Sequence, residues 1–338
     1  MVGLRELDGK SILVTGGTGS FGTAFVRYAL ERYRLSRLVI YSRDEQKQFD
    51  MAQRPEFQNR PELRFFIGDV RDKDRLRMSM RGIDYVVHAA AMKHVPIAEY
   101  NPFECIQTNI MGAENVVKAA IAADVKKVVA LSTDKACNPI NLYGASKLAS
   151  DKIFIAANNL SGGSGPRFAV VRYGNVVGSR GSVVPFFQRL IKKGTDHLPI
   201  TDPRMTRFWI TLPHGVDFVL SSLRMMRGGE IFVPKIPSMR VTDLATLLAP
   251  DLPHRVVGIR PGEKLHEMMI SQDDGRHSVE LSDRYVICPM FNFWQSDAYE
   301  IEGGKPVPEG FAYASDTNDE WLDAAQMRAL LDAYPSEG

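Results

Sequence analysis

Seven residues near the N-terminus do most to limit the folds open to this chain: Gly16-Gly17-Thr18-Gly19-Ser20-Phe21-Gly22. A short apolar run with a polar start, Lys10 to Thr15, precedes them, and Thr23 to Arg32 follows with the pattern of a helix. Gly17, Gly19 and Gly22 fit G-x-G-x-x-G, while Gly16, Gly19 and Gly22 fit the G-x-x-G-x-x-G variant. Glycine permits the tight strand-to-helix turn and lets main-chain N–H groups close on a pyrophosphate at the helix N-terminus. A merely flexible glycine loop needs no strand before it and no helix after it. The pattern therefore predicts a dinucleotide site lined by Gly16, Gly19, Ser20, Phe21 and Gly22.

The rest of the first half keeps the same rhythm. Short apolar runs at Arg37 to Tyr41, Leu63 to Ile67, Ile83 to His88, Val128 to Leu131 and Phe168 to Arg172 alternate with helical stretches. Such alternation predicts a parallel sheet covered on both faces, a Rossmann-type doubly wound α/β fold. Past Gly178 the texture changes: a Gly/Ser loop, helices over Val183 to Lys193 and Thr211 to Met226, a strand at Glu230 to Pro234, and a last helix over Asn318 to Ala333. At 338 residues the chain is long for one core. The expected division is a cofactor domain of residues 1–178 plus 206–236 and a smaller interleaved C-terminal substrate domain of 179–205 plus 237–338.

Strand ends nominate the residues around the dinucleotide. At the end of the second strand an acidic residue would favour NAD, whereas cations and hydroxyls would suit the 2′-phosphate of NADP. Ser42 and Arg43 occupy that place with Lys47 one helical turn on, which favours NADP; Asp44 complicates this if it turns inward. Asp69 and Val70 follow the third strand, where a carboxylate meets an adenine amino group. Ala89 and Ala90 follow the fourth and are small enough for a cofactor to lie against the backbone. Asn109 is read as holding the active-site helix or a bound water, or else as an interior amide with one structural hydrogen bond.

Chemistry concentrates at the fifth strand. Ser132-Thr133-Asp134-Lys135 leaves its carboxyl end, and Tyr143-Gly144-Ala145-Ser146-Lys147 follows on a helix. Tyr-x-x-x-Lys places phenol and ammonium on one helix face, and the Lys147 charge is expected to lower the Tyr143 pKa enough to make it a base for an alcohol proton. Asp134 and Lys135 add an acid and an amine; standing alone they would read as a surface ion pair. In the second half Asn175, Arg180, Arg207, Arg260 and Lys264 are polar or cationic residues in or near loops. Arginine forks suit phosphate oxygens, so a sugar nucleotide is expected there, and the loop Gly258 to Lys264 with Arg260 and Glu263 could take diphosphate and ribose together. Lys93, in a Met-Lys-His loop, faces either the sugar or solvent.

Composition removes several other classes. A formal net charge of +2, with no basic tract carrying aromatics, gives no reason to expect nucleic acid. Cys105, Cys137 and Cys288 are odd in number and form no metal-ligand spacing, so they read as reduced thiols in a cytoplasmic protein, with no metal. Leu265-His266-Glu267 starts like a zinc-protease helix, but Ile270 stands where the second histidine belongs. No apolar run reaches the ~18 to 20 residues that span a bilayer, and no signal-peptide core precedes the first strand, so no membrane is expected.

Longer runs carry a family resemblance. Ser42-Arg43-Asp44-Glu45, Met92-Lys93-His94-Val95-Pro96, Ser132 to Ala136, Asn141 to Lys147, Met205 to Ile210 and Gly258 to Glu267 resemble the extended short-chain dehydrogenase/reductase family over nearly the whole chain. Within it the chain is most similar to the inverting UDP-N-acetylglucosamine 4,6-dehydratases of pseudaminic acid biosynthesis. The dTDP-glucose dehydratases carry Thr-Asp-Glu where this chain has Thr133-Asp134-Lys135. The larger membrane-bound dehydratases have Met in place of Tyr143.

The resemblance implies a bound NADP regenerated in each turnover, UDP-N-acetylglucosamine as substrate, and at least a homodimer paired through the Tyr143–Lys147 helix. It implies that Tyr143, helped by Lys147 and Thr133, takes the 4-hydroxyl proton. Lys135, neutralised by burial and by the Lys147 charge, then takes the proton from carbon 5. Asp134 protonates the leaving 6-hydroxyl, and carbon 5 is reprotonated from the opposite face by Tyr143 or a water. The expected product is UDP-2-acetamido-2,6-dideoxy-beta-L-arabino-hex-4-ulose. A retaining dehydratase, an NADP-linked epimerase or reductase, and a non-catalytic nucleotide-binding protein are the alternatives.

Overall fold

The computed structural model describes residues 6–179, 181–291 and 300–334. Six parallel strands form the body of the sheet: β1 (Ser11–Thr15), β2 (Arg37–Ser42), β3 (Leu63–Ile67), β4 (Tyr85–His88), β5 (Lys127–Thr133) and β6 (Arg167–Tyr173). Their order in space is β3-β2-β1-β4-β5-β6, the doubly wound arrangement. Helices cover both faces, so Ile12, Leu13 and Val14 of β1 and Val128 and Val129 of β5 are wholly buried. That is why these strands read as continuous apolar runs rather than alternating ones. The direction of winding reverses between β1 and β4, and ligands of open α/β sheets bind at that switch point.

Two features depart from the expected division. The sheet runs on past β6 through Ile231–Pro234, which is parallel to β6, and then Arg284–Ile287, Ser278–Glu280 and Lys305–Pro306, each antiparallel to the strand before it in the sheet. The last three were assigned to the substrate domain. Conversely Thr206–Ile210, assigned to the cofactor domain, leaves the main sheet and pairs with Ser238–Arg240 and Asn175–Val176. Antiparallel returns need only short connections, so they join the edge of a parallel sheet without the helical crossover that signals a strand in sequence. The second half builds its own small cores, one around Trp209, Val184, Leu244 and Met327. The last helix is Ala324–Ala333, starting later than its composition suggested because Asp323 and Gln326 cap it reciprocally. Among the described residues no helix is long and apolar enough to cross a membrane.

Candidate active site

The glycine loop is shaped by contacts that leave no room for a Cβ. Gly16 has φ +65°, and a Cβ there would sit 2.9 Å from the Ala90 nitrogen; at Gly22 it would sit 2.5 Å from the Gly17 Cα. Gly19 differs, because the only atom within reach of its Cβ is the Gly16 carbonyl oxygen at 3.2 Å, so its outer side is open. Gly19 also caps the helix Ser20–Arg32, without a side-chain hydrogen bond. Ser20 and Phe21 are half-buried in its first turn. Beside it the Thr15 hydroxyl accepts from the N–H groups of Ala89 (3.1 Å) and Ala90 (3.2 Å) and is hydrogen-bonded to His88 Nδ1 (2.8 Å). Burial and the Lys147 charge push the His88 imidazole down to about 3, so this histidine is neutral and structural. An open glycine rim at a helix start with no side-chain cap, with two small residues opposite, fits a dinucleotide.

The end of the second strand carries its own set of contacts. Ser42 is buried, and its hydroxyl accepts from Thr18 (3.2 Å) and Gln48 (3.1 Å). Arg43 is exposed and lies 3.8 Å from Asp69. Asp44 does not turn inward: it caps the helix Glu45–Ala52 through the Lys47 N–H (3.0 Å) and pairs with the Lys47 ammonium (3.0 Å). Asp69 accepts from the Arg71 main-chain N–H at Oδ1 and from one edge of the Arg71 guanidinium, Nε and Nη2, at Oδ2. Val70 is buried where a Cβ on Gly112 would touch it. Asn109 is buried and fully engaged by protein partners. Its oxygen accepts from Met92 N–H (2.8 Å), and its amide donates to Met92 carbonyl (2.9 Å) and Ser146 hydroxyl (2.9 Å). It thus ties the exposed Lys93 loop to the helix that carries Tyr143.

That helix, Leu142–Ser161, begins where Asn141 accepts from Gly144 N–H (2.7 Å) and ends at Gly162 with φ +65°. Its buried face is polar: Tyr143, Lys147 and Asp151 follow one another at four-residue spacing, with Ser146 and Ser150 between. Lys147 donates to the Leu131 carbonyl (2.7 Å), and burial lowers its pKa against the pull of Asp151. Asp151 accepts from Ser132 (2.8 Å) and from the fully buried Arg172 (3.4 Å). Lys147 is therefore bound into the sheet and does not lower Tyr143 as expected. Burial pushes the Tyr143 phenol up to about 12; Lys135 and a hydrogen bond with Thr133 pull the other way.

Asp134 and Lys135 are no surface pair. Asp134 is completely buried in the turn after β5; its Oδ1 accepts from the Thr133 hydroxyl (2.8 Å) and from Lys135 Nζ (2.9 Å), and its Oδ2 has no protein partner. Lys135 also lies 3.3 Å from Glu267 Oε1. Burial pulls the Lys135 ammonium down, but the two carboxylates outweigh it, so its pKa stands above the usual lysine value. This reverses the expected direction, because the charges that face Lys135 are Asp134 and Glu267, not Lys147. Glu267 was given no role from the sequence, where it closed the Gly258 to Glu267 run and stood in a failed zinc motif.

The second half wraps over this centre. Arg207 is not an outward fork: its guanidinium donates to the carbonyls of Thr206 (2.6 Å), Leu265 (3.0 Å) and Lys264 (3.0 Å), and its Nε faces Glu267 at 3.8 Å. Arg260 and Glu263 are ion-paired on an exposed loop. That loop is fixed to the start of the Tyr143 helix, where Asn141 donates to the Gly262 carbonyl (2.8 Å) and Lys264 to the Cys137 carbonyl (2.5 Å). Asn175 is half-buried beside Trp209 in the three-stranded sheet. Arg180 lies outside the described residues. The structure thus gathers Thr133, Asp134, Lys135 and Tyr143 with Lys147 behind them, places Arg260 and Glu263 at the rim, and turns Arg207 inward.

Residues 12–289 match the model of a family described as polysaccharide biosynthesis protein. The chain belongs to that family. Members of it fall within the extended short-chain dehydrogenase/reductases, and this member is 58% identical over 327 residues to a UDP-N-acetylglucosamine 4,6-dehydratase (inverting) of Campylobacter jejuni, covering 95% of this chain and 97% of the relative. It is 41% identical over 329 residues to a UDP-glucose 4-epimerase of Rickettsia canadensis, covering 95% of both. Among solved structures, Pen from Bacillus thuringiensis superimposes with a TM-score of 0.89 at 35% identity, over 97% of this chain and 99% of that one. The dTDP-glucose 4,6-dehydratase DesIV of Streptomyces venezuelae, solved with NAD bound, superimposes with a TM-score of 0.66 at 25% identity, over 75% of this chain and 86% of that one.

Proposed function

We propose that this chain is an inverting UDP-N-acetylglucosamine 4,6-dehydratase working with tightly held NADP. The observation that carries the reading is the pair of buried Asp134 and half-buried Lys135, 2.9 Å apart beside Tyr143. An epimerase or a simple reductase needs the phenol and Lys147 but has no use for a second acid and base at the same place. The 58% identity to an enzyme of that name supports the same assignment.

When bound at the glycine loop, NADP supplies the reversible acceptance of a hydride from carbon 4 and its return to carbon 6. Ser42, Arg43 and Lys47 would hold its 2′-phosphate, since Asp44 is engaged by the helix start and by Lys47. Tyr143 acts as its phenolate, which Lys135 and the Thr133 hydrogen bond favour against the effect of burial, and it takes the 4-hydroxyl proton as carbon 4 is oxidised. The ketone then acidifies carbon 5, whose proton goes to Lys135, while Asp134 gives its own to the departing 6-hydroxyl. The ion pair seen here and the neutral acid–base pair needed for elimination contain the same single proton. It moves along the 2.9 Å hydrogen bond from Lys135 Nζ to Asp134 Oδ1. Arg260 and Glu263 would take diphosphate and ribose, with Lys93 and Asn175 nearer the sugar. We place the enzyme in the cytoplasm as a homodimer or higher assembly paired through the Leu142–Ser161 helix.

Proton NMR of the purified protein with UDP-N-acetylglucosamine in deuterated water, no cofactor added, tests this. A 4-keto-6-deoxy product, deuterated at carbon 5 with inverted couplings, is the expected result. An unchanged sugar after NADP is supplied refutes the substrate, and a retained configuration refutes the inversion.

A further inference from the structure

Glu267 takes no part in that scheme, yet its side chain is only 2% exposed. Its main chain is clamped on both sides by Ser315, whose hydroxyl accepts from Glu267 N–H (3.0 Å) and whose N–H donates to the Glu267 carbonyl (2.8 Å). The carboxylate is thereby aimed at Lys135, with Oε1 3.3 Å from the ammonium and 3.8 Å from Arg207 Nε, and Oε2 without a protein partner. A mere counter-ion for Arg207 would offer both oxygens to the guanidinium. Here the shorter contact is with Lys135, and Arg207 is held independently by three carbonyls.

We propose that Glu267 is a positioning residue that keeps the single proton of the Asp134–Lys135 couple in the site, so that Asp134 is a protonated acid when Lys135 is a neutral base. The inference rests on the dehydratase reading. The groups facing Lys135 are Asp134 from its own turn, Glu267 from the segment before Met268–Ile270, Arg207 from Thr206–Ile210 and Tyr143 from the Leu142–Ser161 helix. With Glu267 anionic, the set Asp134, Lys135, Glu267 and Arg207 is neutral while the couple holds its proton and negative once it is lost. With glutamine at 267 the set is positive while the proton is held and neutral once it is lost. Removing the carboxylate therefore eases deprotonation, and the couple empties at lower pH. Lys135 is held above its usual range in part by Glu267, in agreement with this sign.

The test is the pH dependence of kcat and kcat/KM for wild type, Glu267→Gln and Glu267→Asp on UDP-N-acetylglucosamine, with melting temperature and bound cofactor measured alongside. Glu267→Gln should move the alkaline limb down by about one to three units, the usual effect of one opposite charge at this range, with activity recovering on the acid side. Glu267→Asp, which keeps the charge but withdraws it, should show a smaller shift in the same direction. An alkaline limb that superimposes on wild type, or a loss uniform across pH, overturns the proposal. If Glu267→Gln does not fold, Glu267→Asp decides by the same criterion. A folded, cofactor-loaded wild type that makes no keto-deoxy sugar at any pH instead overturns the dehydratase reading beneath it.

Discussion

Asp134→Asn separates elimination from oxidation. The carboxylate is fully buried, and its Oδ1 accepts from both Thr133 and Lys135. An asparagine oxygen can accept the same two hydrogen bonds, so the turn after β5 should keep its shape. What is lost is the proton that must reach the 6-hydroxyl. Removing a positioned general acid slows its step by ~10²- to 10⁴-fold, equivalent to about 3–5 kcal/mol of barrier. The amide nitrogen replaces an oxygen that already has no protein partner, so the stability change should be smaller, about 1–3 kcal/mol. Tyr143 and Lys147 are untouched, and oxidation at carbon 4 should still proceed. The assay is rapid mixing with UDP-N-acetylglucosamine, following the absorbance of reduced nicotinamide and the release of product together. Reduced cofactor should build up to a level never seen in wild type while product falls ~10²-fold or more. Unimpaired turnover would refute the role of Asp134. So would a dead variant with no build-up, which would place Asp134 in the oxidation.

Three further outcomes are expected. Replacing Arg43 and Lys47 together by alanine should cut the preference for NADPH over NADH by about 10- to 100-fold, since a charge-assisted contact contributes about 1.5–3 kcal/mol. Fluorescence titration of cofactor-stripped protein with each nucleotide reads this directly, and an unchanged ratio would move the phosphate elsewhere. Gly262→Ala places a Cβ 3.1 Å from that of Asn141 at φ +79°, at a cost of about 1–2 kcal/mol. By displacing the Arg260–Glu263 loop it should raise KM for the UDP-sugar with kcat little changed. His88 predicts a pH effect on stability. Its folded pKa, about 3, lies below the unfolded value of ~6.5, so the unfolded chain binds the extra proton between them and stability falls as pH drops through that window. At about pH 5 the loss is about 2 kcal/mol. Chemical denaturation across pH should show this slope in wild type and a flatter one in His88→Asn.

Most of the fold is legible because local rules and global fold agree in the first half. Apolar runs at β1 to β6, glycines that no other residue replaces at Gly16 and Gly22, and caps such as Asn141 all point to one architecture. The second half resists because strands of two to four residues, such as Ser278–Glu280 and Lys305–Pro306, carry too few side chains to show a period. At the site, sequence brings out Asp134, Lys135 and Tyr143 because they are neighbours in the chain. It hides the role of Glu267, which reaches Lys135 across 132 positions and stood in the sequence only as the end of a matching run, next to a misleading histidine. It also mistakes the electrostatics. Tyr-x-x-x-Lys spacing says that phenol and ammonium share a face, but not that Lys147 is held by the Leu131 carbonyl and looks toward Asp151. Asp151 itself continues the four-residue spacing and could have been read from it.

Charge balance explains why such a centre can be buried. An isolated ion in a protein interior carries a desolvation cost of several kcal/mol, and a lone Asp134–Lys135 pair would gain by losing its charges or its burial. Adding Glu267 and Arg207 makes two of each sign, and the elimination never changes that total: Lys135 gains a proton from carbon 5 as Asp134 releases one to the leaving water. One hop along the 2.9 Å hydrogen bond then restores the acid and the base without exchange with solvent. Both balancing residues come from the second half, Arg207 from a strand and Glu267 from the segment beside it. That half therefore does more than hold the sugar nucleotide. It completes the electrostatics of groups that the first half presents, so the doubly wound half on its own should bind the dinucleotide but lack a working acid–base pair.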